Sequence, residues 1–454
     1  MKIALYVHCF FPTHYHGTET YTLALAKSLQ AMGHEPLVVS CIFEGEKKAD
    51  RLITLYHYEG IPVYCIDKNH TPHSSLMETY YQPEMRKIHM DLLQELQPDI
   101  VHVTHLLNHT ATLLEAAQSL GIPMVATFTD FFGFCMTHKL EAADGSLCAG
   151  PNSQRTNCFT CCVKTGVKQA DPTLSEPSLN RLVPLIRFGC TVFNTVHRLP
   201  ILRRSQLTLQ LHDIKARPDI LAKRYSLYRA VIAPTRFLKS AYERNGLTGA
   251  PIHKIHFGVD LDRKAKQIRS PVAPIRFGFI GQIAPHKGTA LLVEAFCRLP
   301  LNQSELHIYG SEDQHPSYTQ TMKKRCIDFP VFFQGTFSPE KMRSVLDEID
   351  FLVIPSTWYE NSPLVLLNAL ASHTPVIVSD VEGLTEFLEP GVNGYTFARG
   401  SIDDLERVMR QVIETQESSR KLSLVTNYPK TSMTMTEEVV KIYSSILKGN
   451  RHEL

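Results

Sequence analysis

"FLVIPSTWYENSPLVLLNALASHTPVIVSD", residues 351–380, holds a strand, a polar loop, a helix and a second strand. "FLVIP" and "TPVIVSD" are apolar runs of strand length, and "PLVLLNALAS" between them carries apolar residues at helical spacing. Apolar strands joined through helices predict a parallel sheet covered on both faces. The alternation extends backward through "IRFGFIGQ", "TALLVEAFCRL", "ELHIYGS", "VFFQGT" and "SPEKMRSVLDEID". An earlier series opens the chain with "KIALYVHCF", "TETYTLALAKSLQAMG", "HEPLVVSCI", "PDIVHVTH", "TLLEAAQSLG" and "PMVATFTD". A break near "DRKAKQIRSPVAP" separates the two series. The predicted fold class is therefore α/β, with two Rossmann-like doubly wound parallel-sheet domains facing each other across a cleft. Such domains take their ligand at the C-terminal edges of the strands.

A chain of 454 residues exceeds what one core usually serves, in keeping with two domains. With 43% hydrophobic and 20% charged residues, the composition is that of a globular protein. A formal net charge of +2 argues against a dedicated nucleic-acid binder. No apolar run reaches bilayer-spanning length. Met1-Lys2 leads straight into a strand rather than a signal peptide, and eleven cysteines then suggest a reducing compartment. The expected location is cytoplasmic, peripheral on the inner face of a membrane.

The periodicity degrades in the middle, and residues of about 136–225 read as an insertion on the first domain. "CMTHKLEAADGSLCAGPNSQRTNCFTCC" offers Cys135, Cys148, Cys158 and Cys161 as four thiolate ligands, with Cys162 as a spare. Four sulfurs suit a structural zinc or an iron–sulfur cluster; the bland alternative is a set of buried thiols. A metal is the preferred expectation, because an irregular loop of this length needs something to order it. Residues 181–224 carry nine Lys/Arg against two Asp, interleaved with Leu, Ile, Val and Phe. That pattern suits lying on an anionic membrane surface, and also a helical cover with a solvated basic face. Pro184, Pro200 and Pro218 are expected to divide it into short helices.

In the opening stretch, Pro363 is placed in the first helical turn, where its missing N–H costs nothing. Free N–H groups of Ser362, Leu364 and Val365 would form an anion site there, helped by the helix dipole. Glu360 could then reach a hydroxyl of the bound ligand, and Asn368, two turns along, another part of it. The alternative is that Glu360 and Asn361 merely cap the helix. Spacing does not choose between them.

"YENSPLVLLNALASHTPVIVSDVEGLTEFLEPGVNGYTF" resembles the nucleotide-sugar signature of family 4 glycosyltransferases, which have the GT-B fold. The resemblance implies that Glu360 and the residue eight positions on, Asn368 here in place of the usual Glu, flank the donor. "FGFIGQIAPHKGTALLVEAF" resembles the family's opening of the second domain, where a basic pair grips the diphosphate. Lys287 is retained and Gln282 stands where Arg is commoner. Gly310, ending "ELHIYG", joins Gln282, Asn361, Ser362, Pro363, Leu364 and Asn368 on the donor side. "AVIAPTRFLKSAYERNG", "IHFGVDLD" and "TSMTMTEEVVKIYSSIL" resemble the end of the first domain and the last helix, which crosses back onto it. The implied layout is an acceptor-side domain over 1–268, a nucleotide-sugar domain over 272–430 and a returning helix over 431–454.

In the first domain, "HYHGTETYTLAL" resembles the family's Gly-Gly loop. Gly17 is placed against the ligand, with Thr18 replacing the second glycine and Glu19 either at the helix dipole or at the ligand. "VHVTH" puts His105 at the strand end, with His102 on the opposite face. "ATFTDFF" keeps Asp130, with Thr129 where the family has His. His105 and Asp130 are the candidate catalytic residues here, and Glu360 and Lys287 those of the second domain.

Transfer from a nucleotide diphosphate requires stabilising the charge that grows on the leaving phosphate, which Lys287 and a helix N-terminus would supply. The resemblance is to GT-B enzymes that work without a catalytic divalent ion, so no catalytic metal is expected. The resemblance implies retention, with the acceptor hydroxyl approaching on the leaving-group face. The expected activity is transfer from a nucleotide sugar to a saccharide or lipid-linked acceptor, in surface polysaccharide or glycoconjugate synthesis. The alternatives are a sugar-nucleotide epimerase of the same architecture and a nucleotide-sugar binder without turnover.

Overall fold

A computed structural model describes residues 1–450 apart from 48–49, 172–173, 175, 248 and 271, with backbone alone at 176, 177 and 450. The chain forms two compact units, one holding Met1–Ile255 together with the residues from Met433 onward, the other His256–Ser432.

The first unit is built on eight strands: Lys2–Tyr6 (β1), Glu35–Ile42 (β2), Ile53–Tyr58 (β3), Ile61–Asp67 (β4), Ile100–Val103 (β5), Met124–Thr127 (β6), Ala230–Ala233 (β7) and Ile252–Lys254 (β8). Their order across the sheet is β3-β4-β2-β1-β5-β6-β7-β8. Every pairing is parallel except β3 with β4. That pair is a hairpin closed by Glu59-Gly60, both at positive φ (47° and 81°), the backbone a two-residue turn between right-twisted strands needs. The central strands β1, β5 and β6 are buried along nearly their whole length, as a sheet covered on both faces requires.

The basic middle tract departs from expectation. Helices run over Thr156–Ala170, Glu176–Val196 and Gln206–Tyr225, and the latter two continue through Pro184 and Pro218. Of the three prolines only Pro200 sits at a break. Each internal proline removes one helical hydrogen bond, at a cost of about 3 kcal/mol. Tertiary packing offsets it: Leu179, Val183 and Cys190 are buried on one face of the first helix, and Leu211, Ile214 and Leu221 on one face of the second.

The helix Ser432–Asn450 closes the first unit. Its Tyr443 is fully buried, and the hydroxyl meets His102 Nδ1 at 2.5 Å while His102 Nε2 meets Thr127 Oγ1 at 2.8 Å. Burial holds the His102 imidazole neutral, with its pKa lowered to about 3.

The second unit has six parallel strands: Ile275–Ile280 (β9), Ser304–Tyr309 (β10), Val331–Gly335 (β11), Phe351–Ile354 (β12), Val376–Ser379 (β13) and Gly394–Phe397 (β14), in the order β11-β10-β9-β12-β13-β14. Phe277, Leu292, Phe296, Leu306, Phe351 and Met409 belong to its core. The segment leading into β9 runs beside the end of the unit: Val259 N–H donates to the Lys430 carbonyl and Arg263 donates to the carbonyls of Tyr428 and Lys430.

Candidate active site

In the second sheet, β10 and β11 lie on one side of β9, and β12, β13 and β14 on the other. Loops leaving the C-terminal ends of β9 and β12 therefore diverge, and the crevice between them is where open parallel sheets bind ligand. These two loops carry Lys287 and Glu360.

The residues meet there. Glu360 is 6% exposed, and its Oε1 accepts from Lys287 Nζ at 2.7 Å, Ser356 Oγ at 2.6 Å and Trp358 Nε1 at 3.0 Å. Among the described residues none donates to Oε2. Burial alone would raise the Glu360 carboxyl, but the Lys287 ammonium and the three hydrogen bonds outweigh it and hold the pKa below its ordinary value. Lys287 Nζ also lies 5.0 Å from the centre of the Trp358 ring, which His286 flanks on the same loop. The ammonium is thus fixed in place while keeping further N–H donors.

The loop is held from behind. Ser379 Oγ donates to the Ser356 carbonyl at 2.6 Å, and Glu360 N–H donates to the Glu382 carbonyl at 3.3 Å. Gly383, at φ 86°, lets its backbone approach so closely that a Cβ there would stand 1.5 Å from the Glu360 carbonyl oxygen.

The helix beyond starts at Leu364, with Pro363 as its cap in extended backbone. Pro363 is therefore outside the first turn where the sequence placed it. Its carbonyl is needed as the first helical acceptor, taken by Leu366 N–H at 3.0 Å. Leu364 and Val365 remain as helical residues whose N–H groups have no carbonyl four residues back. Ser362 is in left-handed backbone at φ 70°, and its buried Oγ has no partner among the described residues. Asn361 precedes it in the same loop, and Asn368 is half-buried two turns along. Gln282, half-buried, follows β9. Gly310 has a packing reason: a Cβ would stand 2.2 Å from the Gly281 carbonyl oxygen, so its bareness lets the loops after β9 and β10 touch.

In the first sheet the reversal falls between β1 and β5. His8 follows β1, His105 follows β5 and Asp130 follows β6. His105 Nε2 lies 2.8 Å from Asp130 Oδ2, while His105 Nδ1 accepts from Leu107 N–H at 3.0 Å. With Nδ1 accepting, the ring proton sits on Nε2 and points at the carboxylate. Phe132 N–H donates to Asp130 Oδ1 at 2.8 Å, and His138 Nδ1 stands 3.9 Å from Oδ2. Burial would raise the Asp130 carboxyl, yet His105 and His138 and these hydrogen bonds hold it well below the carboxylate range. Thr129 turns away, donating to the Thr104 carbonyl at 3.1 Å.

Glu19, 1% exposed, accepts from Cys9 Sγ at 3.0 Å and lies 3.3 Å from His8 Nε2. The His8 ring is 4.3 Å from that of His105. Gly17 opens its helix on the exposed side, where a Cβ would meet nothing of the protein. Sequence reasoning did not select His8, His138, Ser356 or Trp358. His138 sits at φ 62° in an irregular stretch, and Ser356 and Trp358 act only because the loop folds back on Glu360.

Cys135, Cys148, Cys158 and Cys161 line a single cavity. Cys162 does not line it and packs, as Cys158 also does, against the small apolar core that holds Cys190.

A model of glycosyl transferases group 1 matches residues 260–424, and one of glycosyltransferase family 4 matches residues 15–141. Together they cover well over half of the chain, which belongs to this glycosyltransferase family. Lipopolysaccharide 1,2-N-acetylglucosaminetransferase of Salmonella typhimurium is 25% identical, over 43% of this chain and 57% of that protein. The amylovoran biosynthesis glycosyltransferase AmsK of Erwinia amylovora is 24% identical over 50% and 60%. The chain thus spans little more than half the length of these curated relatives. Among solved structures, the lipopolysaccharide outer core galactosyltransferase WaaB matches with TM-score 0.62 at 15% identity, over 98% of this chain and 99% of that one. Anabaena Alr3699/HepE in complex with UDP-glucose matches with TM-score 0.56 at 17% identity over the whole of both chains. The fold is GT-B.

Proposed function

We propose that the protein transfers a sugar from a nucleotide-diphosphate donor to a saccharide or lipid-linked acceptor, with retention, in surface polysaccharide or glycoconjugate synthesis. The observation that carries this reading is the convergence of Lys287, Glu360 and the free N-terminus of Leu364–Ala371 at the switch point of the second sheet. Lys287 and the helix N–H groups neutralise charge growing on the leaving phosphate. Glu360, kept ionised, offers Oε2 to a sugar hydroxyl, and Asn368 takes a ribose hydroxyl. Asp130, oriented by His105, accepts a hydrogen bond from the acceptor in the first unit. A neighbouring structure of the same fold holds UDP-glucose, which supports a uridine donor as the first to try.

The test is release of nucleoside diphosphate from a donor panel, with and without acceptors. Glu360→Gln and Lys287→Ala should lower transfer on the order of 100-fold or more, the scale for a lost charge-stabilising group. Near-native turnover in both displaces the site. Donor conversion without acceptor would mark an epimerase, and binding without release a non-catalytic protein.

The acceptor reading includes peripheral attachment to the cytoplasmic face of an anionic membrane. No helix among the described residues is long and apolar enough to cross a membrane. Yet Leu185 and Phe188 on the helix Glu176–Val196 are 69% and 68% exposed, and Ile201 in the turn that follows is 88% exposed, beside exposed Arg198, Arg203 and Arg204 of the same turn. Exposed apolar side chains among arginines suit an interfacial helix pair better than a solvated cover.

A further inference from the structure

The cysteine loop has a geometry of its own, separate from both half-sites. Cys135 and Cys148 come from the irregular stretch, while Cys158 and Cys161 sit one turn apart on the helix Thr156–Ala170. All four line one cavity that opens to solvent, and none is in a disulfide. Donors point at the sulfurs. Gly150 N–H lies 3.4 Å from Cys148 Sγ, the Asn157 amide lies 3.9 Å from it, and Ala143 N–H donates to Cys161. N–H donors aimed at sulfur stabilise thiolates, and such hydrogen bonds accompany iron–sulfur ligation.

The spacing discriminates between metals. A single zinc with bonds of about 2.3 Å draws four thiolates into a tetrahedron with edges of about 3.8 Å. Among the described residues, the groups of three or more ligand atoms lying within 4.8 Å of one another are His8–Cys9–Glu19 and His105–Asp130–His138, and the four cysteines are not among them. A cluster whose irons are separated by bridging sulfides needs its ligands further apart and a cavity between them. We infer that Cys135, Cys148, Cys158 and Cys161 hold an iron–sulfur cluster that orders the insertion. The cluster also braces a turn of the first half-site. Cys135 N–H donates to the Phe131 carbonyl at 2.8 Å and His138 N–H to the Cys135 carbonyl at 3.3 Å, so one end of that turn carries a ligand and the other His138, beside Asp130.

The full chain, purified without oxygen, should contain iron and acid-labile sulfide in equal amounts, about two or four of each per chain, with a broad visible absorption band. Cys158→Ser with Cys161→Ser should reduce bound iron at least tenfold, whereas Cys162→Ser, which does not line the cavity, should retain it. One zinc per chain without iron, disulfides among the four, or metal-free protein with all four thiols open to alkylation would each overturn the inference. Because the native chain is assayed first, a variant that fails to fold does not protect it.

Discussion

Replacing Lys287 with Met would leave the Glu360 carboxylate buried with its ammonium gone. The side chains are 22% and 8% exposed, so the pair is only weakly screened. Removing one partner of a buried pair costs about 3–5 kcal/mol. Ser356 and Trp358 still donate to Oε1 in the variant, which places the expected loss near the lower end, about 3 kcal/mol. The pH dependence separates this from a packing defect. In the native protein the Glu360 pKa is lowered, so its contribution is present above the ordinary carboxyl value and is lost as pH falls through the folded value. In Lys287→Met the desolvation that raises the pKa is no longer opposed by charge. The carboxyl then sits above its unfolded value, and the variant loses stability as pH rises from about 4.5 toward neutrality. Urea unfolding of the second unit at pH 4.5, 6 and 7.5 should show a deficit that widens with pH and then levels off. A deficit below about 0.5 kcal/mol, or one equal at all three pH values, would refute the reasoning.

Asn368→Ala should weaken nucleotide binding by about tenfold while Asn368→Glu is tolerated, read by calorimetry; equal affinity for the Ala variant would reduce Asn368 to helix packing. His102, neutral when folded with a pKa of about 3, takes up a proton only on unfolding across the range from about 6.5 downward, so by pH 4 it should cost the first unit about 3 kcal/mol. A His102→Gln variant whose thermal midpoint falls as steeply between pH 7 and 4 as the native protein's would contradict this. Gly383→Ala should destabilise the second unit by more than 2 kcal/mol and abolish donor binding, since the added carbon collides with the Glu360 backbone at a left-handed φ; a normal denaturation midpoint would disprove the contact. Vesicles of anionic lipid should sediment the protein at low salt and release it at high salt, with Arg198, Arg203 and Arg204 neutralised together weakening capture. Protein remaining in the supernatant would favour a soluble acceptor.

Much of the fold was legible because strand and helix periods differ and the chain punctuates them clearly. The run "FLVIP" contains β12, "TPVIVSD" contains β13, and the helix between them follows its apolar spacing. What the sequence hid depends on tertiary packing. Pro184 and Pro218 read as breaks because local cost was visible and the buried faces of Leu179, Val183, Leu211 and Leu221 were not. The Glu59-Gly60 turn turns one edge strand antiparallel, a departure from a rhythm that otherwise predicts parallel pairing. In the site, Lys287 and Glu360 could be singled out separately, but their 2.7 Å contact joins loops 73 residues apart. Ser356, Trp358 and His138 gain their meaning from a folded-back loop, a signal that spacing cannot carry.

The route of the chain has a consequence for synthesis and for damage. Unit two is spliced into unit one, so the polypeptide passes between them twice, after Ile255 and again after Ser432. A protease that nicks either passage leaves the halves tethered by the other. A ribosome releases the first 255 residues long before the closing helix exists, so nascent unit one must wait with the slot for Tyr443 beside His102 unfilled. A frameshift or stop codon near the end would therefore injure the portion made first, while the portion made later stays intact.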